Sequence, residues 1–93
     1  MIRVLIQRVV APGMESTYDE YIRGTIQAAV AAPGFISGES LHDIEHPNVR
    51  YVIVKMRSVQ DWHAWYHSDE RIQAVNLITP LLLEPEGITL LSH

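Results

Sequence analysis

Three stretches of the chain alternate apolar and polar residues in the way that β-strands do. Residues 2–10 are rich in β-branched residues, and both faces of this strand carry apolar side chains. Residues 35–44 give a second strand, which Gly38 interrupts. Residues 50–57 give a third, apolar on both faces at its centre. The turn at residues 45–48 predicts that the second and third strands form a hairpin.

A helical repeat of apolar residues separates these strands. Residues 14–32 form a stripe that includes Tyr18 and Ile22, and Pro33-Gly34 ends the helix. A second helical region follows the third strand. It comprises residues 59–67, capped by Ser58, and a stretch after Ser68 in which Ile72, Val75 and Thr79 share a face; Pro80 ends it.

A short strand over residues 88–91 completes the order β-α-β-β-α-β. This order predicts an α+β, ferredoxin-like fold with one four-stranded antiparallel sheet, formed by a single domain over residues 1–93. Two helices cover only one face of a four-stranded sheet, yet the first and third strands are apolar on both faces. We therefore expect a second copy of the chain to cover the free face, giving a homodimer. The alternative is that long Arg and Lys side chains cover a partly exposed face.

Composition narrows the range of functions. The chain has no cysteine, which excludes disulfides, thiolate metal sites and cysteine nucleophiles. Its net charge is −4, without a basic run, so we expect no nucleic-acid partner. No apolar run approaches the roughly 20 residues of a membrane span. The first ten residues do not resemble a signal peptide, and we expect a soluble, cytoplasmic protein without a membrane partner.

The segment from Trp62 to His67 is the richest in candidate chemistry. Trp62, Trp65 and Tyr66 are aromatic side chains able to form the walls of a pocket for a flat ligand. Core packing is the better explanation for Trp62 and Tyr66, and it explains Trp65 equally well. His63 is the candidate proton acceptor, because histidine exchanges protons near neutral pH. His63 and His67 also have the i, i+4 spacing of a metal-binding pair, but no third ligand is evident, and we predict no metal.

Outside this segment, Gln7 is a polar residue within an apolar strand. If its face of the sheet turns toward the helices, its amide can bond a ligand oxygen; otherwise it pairs with a polar neighbour. Arg8 and Arg50 are expected to pair across strands with carboxylates such as Glu39 or Asp43.

Three segments resemble the antibiotic biosynthesis monooxygenase (ABM) domain of the dimeric α/β-barrel superfamily. They are residues 2–13 (IRVLIQRVVAPG), 32–39 (APGFISGE) and 58–71 (SVQDWHAWYHSDER). The resemblance implies two protomers that close a barrel sheet to sheet, and a pocket between the sheet and the helices of each. It implies oxidation of quinols or polycyclic phenols by O2 without flavin, haem or metal. The protein then supplies a dry pocket, a base and donors to the oxyanion.

The functional positions of this family match only in part. Where polyketide-oxidising members carry Asn, Trp and Tyr, this sequence has Val52, Met56 and Trp62. Where haem-degrading members carry Asn, Trp and His, it has Gln7, Trp65 and Val75, and Val75 cannot ligate iron.

Three functions remain open at this point. The first is cofactor-independent oxidation of a quinol or phenol. His63 and Gln7 would be catalytic, and the pocket would be lined by Trp62, Trp65, Tyr66, Tyr18 and Ile22. The second is binding of a small aromatic ligand without chemistry, which the unmatched family positions favour. The third is a structural dimer that accompanies another protein. The fold alone does not choose among them.

Overall fold

The computed structural model describes all 93 residues, and its elements follow the predicted order. The strands are β1 (Ile2–Val9), β2 (Phe35–His42), β3 (Val49–Met56) and β4 (Gly87–Leu91). The helices are α1 (Glu15–Val30), α2 (Val59–Tyr66) and α3 (Asp69–Ile78), with a 3-10 turn at Thr79–Leu81. The sheet has the order β2-β3-β1-β4, and every neighbouring pair is antiparallel. The predicted ferredoxin-like fold is therefore confirmed.

The two faces of the sheet have different environments. On β1, Ile2, Val4, Ile6 and Arg8 are buried beneath the helices, and the residues between them are more exposed. The same alternation on β3 buries Arg50, Val52, Val54 and Met56. Successive side chains of a strand point to opposite faces, so the helices cover only one face of this sheet.

The uncovered face, which we call the open face, is largely apolar at its centre. Leu5 of β1 pairs with Ile53 of β3 and with Thr89 of β4. Side chains of alternating character surround this pair: Arg3, Gln7, Val9, Val49, Tyr51, Lys55, Glu39, Leu41 and Leu91. No element of the protomer lies over them.

The α1 helix presents the predicted stripe to the sheet, with Tyr18, Ile22, Thr25 and Ala29 buried. The predicted inner face of the helix after Ser68 is wrong by about one residue. In α3 the buried side chains are Arg71 and Ile78, whereas Ile72 is 45% exposed. The sequence pattern misled because the inward position nearest the site is held by an arginine, which pattern analysis assigns to the surface.

Two glycines allow a matched test of local backbone requirements. Gly34 has a positive φ of 84°, and a Cβ there would lie 2.6 Å from the Cβ of Asp61. Gly24 lies within α1, with nothing near its missing Cβ. We expect Gly34→Ala to lower the free energy of unfolding by more than about 1 kcal/mol. Gly24→Ala should raise it by about 0.5–1 kcal/mol.

Urea unfolding of the two variants and the parent checks this pair of predictions. Equal effects of the two substitutions would contradict the assigned backbone at one of the two positions at least.

Candidate functional site

A surface groove between α2 and the helix-facing side of β4 brings two of the four aromatic candidates together with His63. Its volume is about 230 Å³. One wall comes from α2 and the other from alternate residues of β4, Ile88 and Leu90. The wall on the side of α2 consists of Trp62, His63, Tyr66 and His67. We call this pocket the α2–β4 groove.

The local sequence explains why these α2 side chains meet. The Ser58 hydroxyl accepts a hydrogen bond from the Asp61 backbone N–H at 3.1 Å and fixes where the helix begins. At about 100° per residue, positions 62, 63, 66 and 67 then cover one side of the helix. Consequently Trp62 is only 2% exposed at the base of the groove, and Tyr66 is 37% exposed at its rim.

The four rings in the groove form a row in which each lies next to the following one. The ring centroids of Trp62 and Tyr66 are 5.9 Å apart, with the planes tilted by 46°. Tyr66 meets the His67 ring edge-on at 5.0 Å, and the His67 ring is 6.4 Å from that of His63 with the planes nearly parallel. His63 and His67 are both exposed to solvent. The groove therefore offers the partly exposed Tyr66 ring for contact with a flat ligand and an accessible imidazole for proton transfer.

A buried ionic cluster lies next to this groove. The Glu86 carboxylate accepts hydrogen bonds from Arg8 Nε at 2.9 Å and from Arg71 Nη2 at 2.7 Å. Arg8 Nη2 also lies 2.8 Å from Glu86 Oε2, and Arg8 Nη1 donates to the Tyr18 hydroxyl at 3.3 Å. Two guanidinium groups share one carboxylate, so the cluster carries a formal charge of +1.

Arg71 connects the cluster with the groove. Its guanidinium carbon lies 4.5 Å from the centroid of the Tyr66 ring and 5.8 Å from that of Trp62. Both distances are within the range of cation–π attraction. The guanidinium therefore contacts two of the rings that line the groove, although Arg71 itself does not line it.

The electrostatics of Glu86 reflect these neighbours. Burial alone raises the pKa of the Glu86 carboxyl group, but the charges of Arg8 and Arg71 and their hydrogen bonds outweigh it. The net result is a pKa below the ordinary value, so Glu86 is ionised at neutral pH.

The space between the sheet and the helices is nearly filled. The cavity there has a volume of about 20 Å³, which is room for a single water molecule. Trp65 and Ile22 line it together with Arg8 and Arg71. Tyr18 is fully buried but lines neither this cavity nor the groove. The predicted pocket residues are thus divided: Trp62, His63 and Tyr66 lie together, and Trp65 and Ile22 lie together elsewhere.

Gln7 is separated from all of these residues. It is exposed on the open face, where it pairs with Tyr51 and Gly87 across the neighbouring strands. The condition that its face turns toward the helices is wrong, because the even-numbered positions of β1 point to the helices. Gln7 and Trp65 therefore do not bound a common cavity.

The arginine partners also differ from those expected. Arg8 pairs with Glu86, and Arg50 forms a salt bridge with Asp19 of α1, instead of Glu39 or Asp43. The actual partners come from a loop and a helix, which a cross-strand argument does not consider. The involvement of Arg71 and Glu86 was missed as well. The usable signal was Arg71 itself, which precedes the buried Ile78 by two helical turns.

No group of three or more side chains is arranged to hold a metal ion, and the His63–His67 pair has no third ligand near it. None of the helices combines the length and the apolar character that crossing a bilayer requires.

Comparison with known proteins identifies the family. The family model described as "Antibiotic biosynthesis monooxygenase" matches residues 1–77. The chain belongs to this family. No curated protein matches it in sequence. The ABM family is thus the one that the sequence resemblance had indicated.

Solved structures show the same fold at low sequence identity. A variant of SnoaB, a cofactor-independent oxygenase from Streptomyces nogalater, is similar with a TM-score of 0.89 at 12% identity, covering 99% of this chain and 91% of that one. A conserved protein from Methanosarcina mazei is similar with a TM-score of 0.90 at 17% identity, covering 97% of this chain and 89% of that one. Rv0793 from Mycobacterium tuberculosis is similar with a TM-score of 0.87 at 16% identity, covering 99% of this chain and 93% of that one. The likeness to these structures shows an ABM fold.

Proposed function

We propose that this ABM protein oxidises a single-ring quinol or phenol with O2 in the α2–β4 groove. The observation that carries the proposal is the meeting of His63, Trp62 and Tyr66 in one groove of about 230 Å³. An apolar cavity of about 150 Å³ binds benzene, so this groove has room for one substituted ring. The interior cavity of about 20 Å³ has no room for a ring.

The chemistry divides between the substrate and the protein. His63 accepts the proton of the phenolic hydroxyl, and the resulting anion transfers an electron to O2. For a hydroquinone, one oxygen atom enters the ring to give a hydroxyquinone and the other leaves as water. The substrate supplies all four electrons that O2 requires.

Oxygen uptake with a panel of substituted hydroquinones tests the proposal. We expect uptake to require a free hydroxyl, so the corresponding dimethyl ethers should be inert. With 18O2, one labelled atom should appear in the quinone product. The rate should be unchanged by EDTA, as the family resemblance implies. Uptake no faster than that of buffer with every hydroquinone would overturn the proposal.

Binding of an aromatic ligand without chemistry is the second candidate. It is favoured by Val52 and Met56, both buried and aliphatic, at positions where the polyketide-oxidising members carry Asn and Trp. Binding of hydroquinone under nitrogen, together with no oxygen uptake in air, would select this alternative.

We also propose that two protomers pair through their open faces. Leu5 and Ile53 lie side by side at the centre of that face, and the protomer covers neither of them. Sedimentation should give about twice the mass of 10.6 kDa. Leu5→Glu should shift the protein to monomer, because it places a charge in the centre of the contact.

The matched control for the dimer is Ile72→Glu, which changes an exposed residue on α3 and should remain dimeric. A parent protein that sediments as a monomer at all concentrations would contradict the pairing.

A further inference from the structure

The C-terminal part of the chain contributes to the groove in two ways. The family match ends at residue 77, and the groove wall formed by Ile88 and Leu90 lies after it. Glu86, directly before β4, reaches back to Arg71 of α3. The same short segment therefore supplies one wall and contacts the residue behind the other.

Glu86 is the only carboxylate that pairs with either arginine of the cluster. The side chains of Arg8 and Arg71 are 2% and 7% exposed. The carboxylate uses a different oxygen for each, Oε2 for Arg8 and Oε1 for Arg71. Without it, two buried positive charges would face each other with no counterion.

The position of the Arg71 guanidinium determines what lies behind the rings of the groove. It lies 4.5 Å from the Tyr66 ring centroid and 5.8 Å from that of Trp62, while its Nη2 donates to Glu86 at 2.7 Å, so the carboxylate holds the group beside both rings. Without Glu86 the Arg71 guanidinium is a buried charge with no counterion, and this cost favours its movement away from the rings toward solvent. Tyr66, which is half-exposed, would then lose its inner support.

We infer that Glu86 is a positioning residue of the α2–β4 groove: its carboxylate holds Arg71 against Tyr66 and Trp62 and thereby fixes the wall on which an aromatic ligand stacks. The inference rests on the proposed function for the identity of the ligand. Glu86 does not line the groove and forms no hydrogen bond with the proton acceptor His63. We therefore expect its replacement to change ligand binding.

The test compares Glu86→Gln and Arg71→Met with the control Glu84→Gln. Glu84 is an exposed carboxylate two residues away that pairs with no arginine. The 1H–15N spectrum reports the indole N–H of Trp62 and the Nε–H of Arg8. Titration with 1,4-hydroquinone under nitrogen gives Kd, and oxygen uptake gives KM and kcat.

We expect both test variants to shift the Trp62 indole signal and to raise Kd and KM by up to about tenfold, with kcat within about twofold. Glu86→Gln should also expose the Arg8 Nε–H to solvent exchange, since that group donates to the carboxylate. Glu84→Gln should match the parent in every respect.

Two results would overturn the inference: an unchanged indole signal and Kd in both variants, or a fall in kcat as large as the rise in KM. If Glu86→Gln does not fold, Glu86→Asp replaces it with the same expected shifts, because it keeps a charge near Arg8 and shortens the reach to Arg71. If hydroquinone neither binds nor is oxidised by the parent, the proposed function fails. The indole signal still decides the structural role of Glu86.

Discussion

Replacing His63 with glutamine should lower kcat for quinol oxidation by about 100-fold or more, while the protein remains folded. General base catalysis contributes about 10²- to 10⁴-fold to the rate of a reaction. Glutamine keeps a polar side chain of similar size but does not accept a proton at neutral pH. A 100-fold fall corresponds to about 2.7 kcal/mol of lost transition-state stabilisation. His63 is exposed, so the substitution removes no core packing. Steady-state oxygen uptake measures the effect.

The control for this prediction is His46→Gln. His46 lies in the β2–β3 hairpin, where it lies 3.8 Å from Asp43 and does not line the groove. Its replacement should leave kcat within about twofold, a change worth less than about 0.5 kcal/mol. If the two variants have equal rates, His63 is not the proton acceptor, and the adjoining His67 becomes the next residue to replace.

Replacing Glu86 with glutamine should lower the free energy of unfolding by about 3 kcal/mol at pH 7. Removing one partner of a buried ion pair costs about 3–5 kcal/mol because the remaining charge is uncompensated. Here two arginines lose their only carboxylate, but the Glu86 side chain is itself 16% exposed, which favours the lower end of the range. Urea denaturation at pH 7 gives the difference directly.

The pH dependence of this difference has a definite sign. The pKa of Glu86 is lower in the folded protein than its ordinary value of 4.5. Its contribution is therefore fully present above about pH 4.5 and disappears as the pH falls through the lower folded value. Glutamine does not titrate, so the gap between parent and variant should narrow below this pH. The pKa of Asp43 is also lowered, by the backbone N–H groups of Glu45 and His46, but it is common to both proteins and cancels.

A double-mutant cycle shows whether the loss comes from the ion pair. Adding Arg71→Met to Glu86→Gln removes one of the two uncompensated charges, so the combined loss should be smaller than the sum of the single losses by about 1–3 kcal/mol. Strictly additive losses would mean that Glu86 stabilises the fold without its contact to Arg71. Glu84→Gln should change the stability by no more than about 0.5 kcal/mol.

The sequence specified the fold in detail because its signals are local. Alternation in residues 2–10 and 50–57, the helix caps at Ser58 and Ser68 and the Pro33-Gly34 boundary each act over a few residues. The structure places β1 and β3 at the centre of the sheet, as their apolar character on both faces required. Element boundaries differ from the predicted ones by one or two residues.

The candidate site was predictable only where its residues share one helix. Trp62, His63 and Tyr66 lie in the same groove because the helical repeat alone brings them to one side of α2. The phase of an isolated strand is not contained in its own sequence when both faces are apolar. For this reason the sequence could not show whether Gln7 faces the helices, and in the structure it points to the other face of the sheet.

The sequence by itself determined the order of the elements, the antiparallel sheet, the aromatic side of α2 and membership of the ABM family. The tertiary structure decided which face of the sheet the helices cover, how little space remains beneath them and which charges are buried together. Arg8, Arg71 and Glu86 lie up to 78 positions apart, yet they form one cluster. Such a cluster depends on contacts between elements, and the burial that makes its charges pair exists only after the chain has folded.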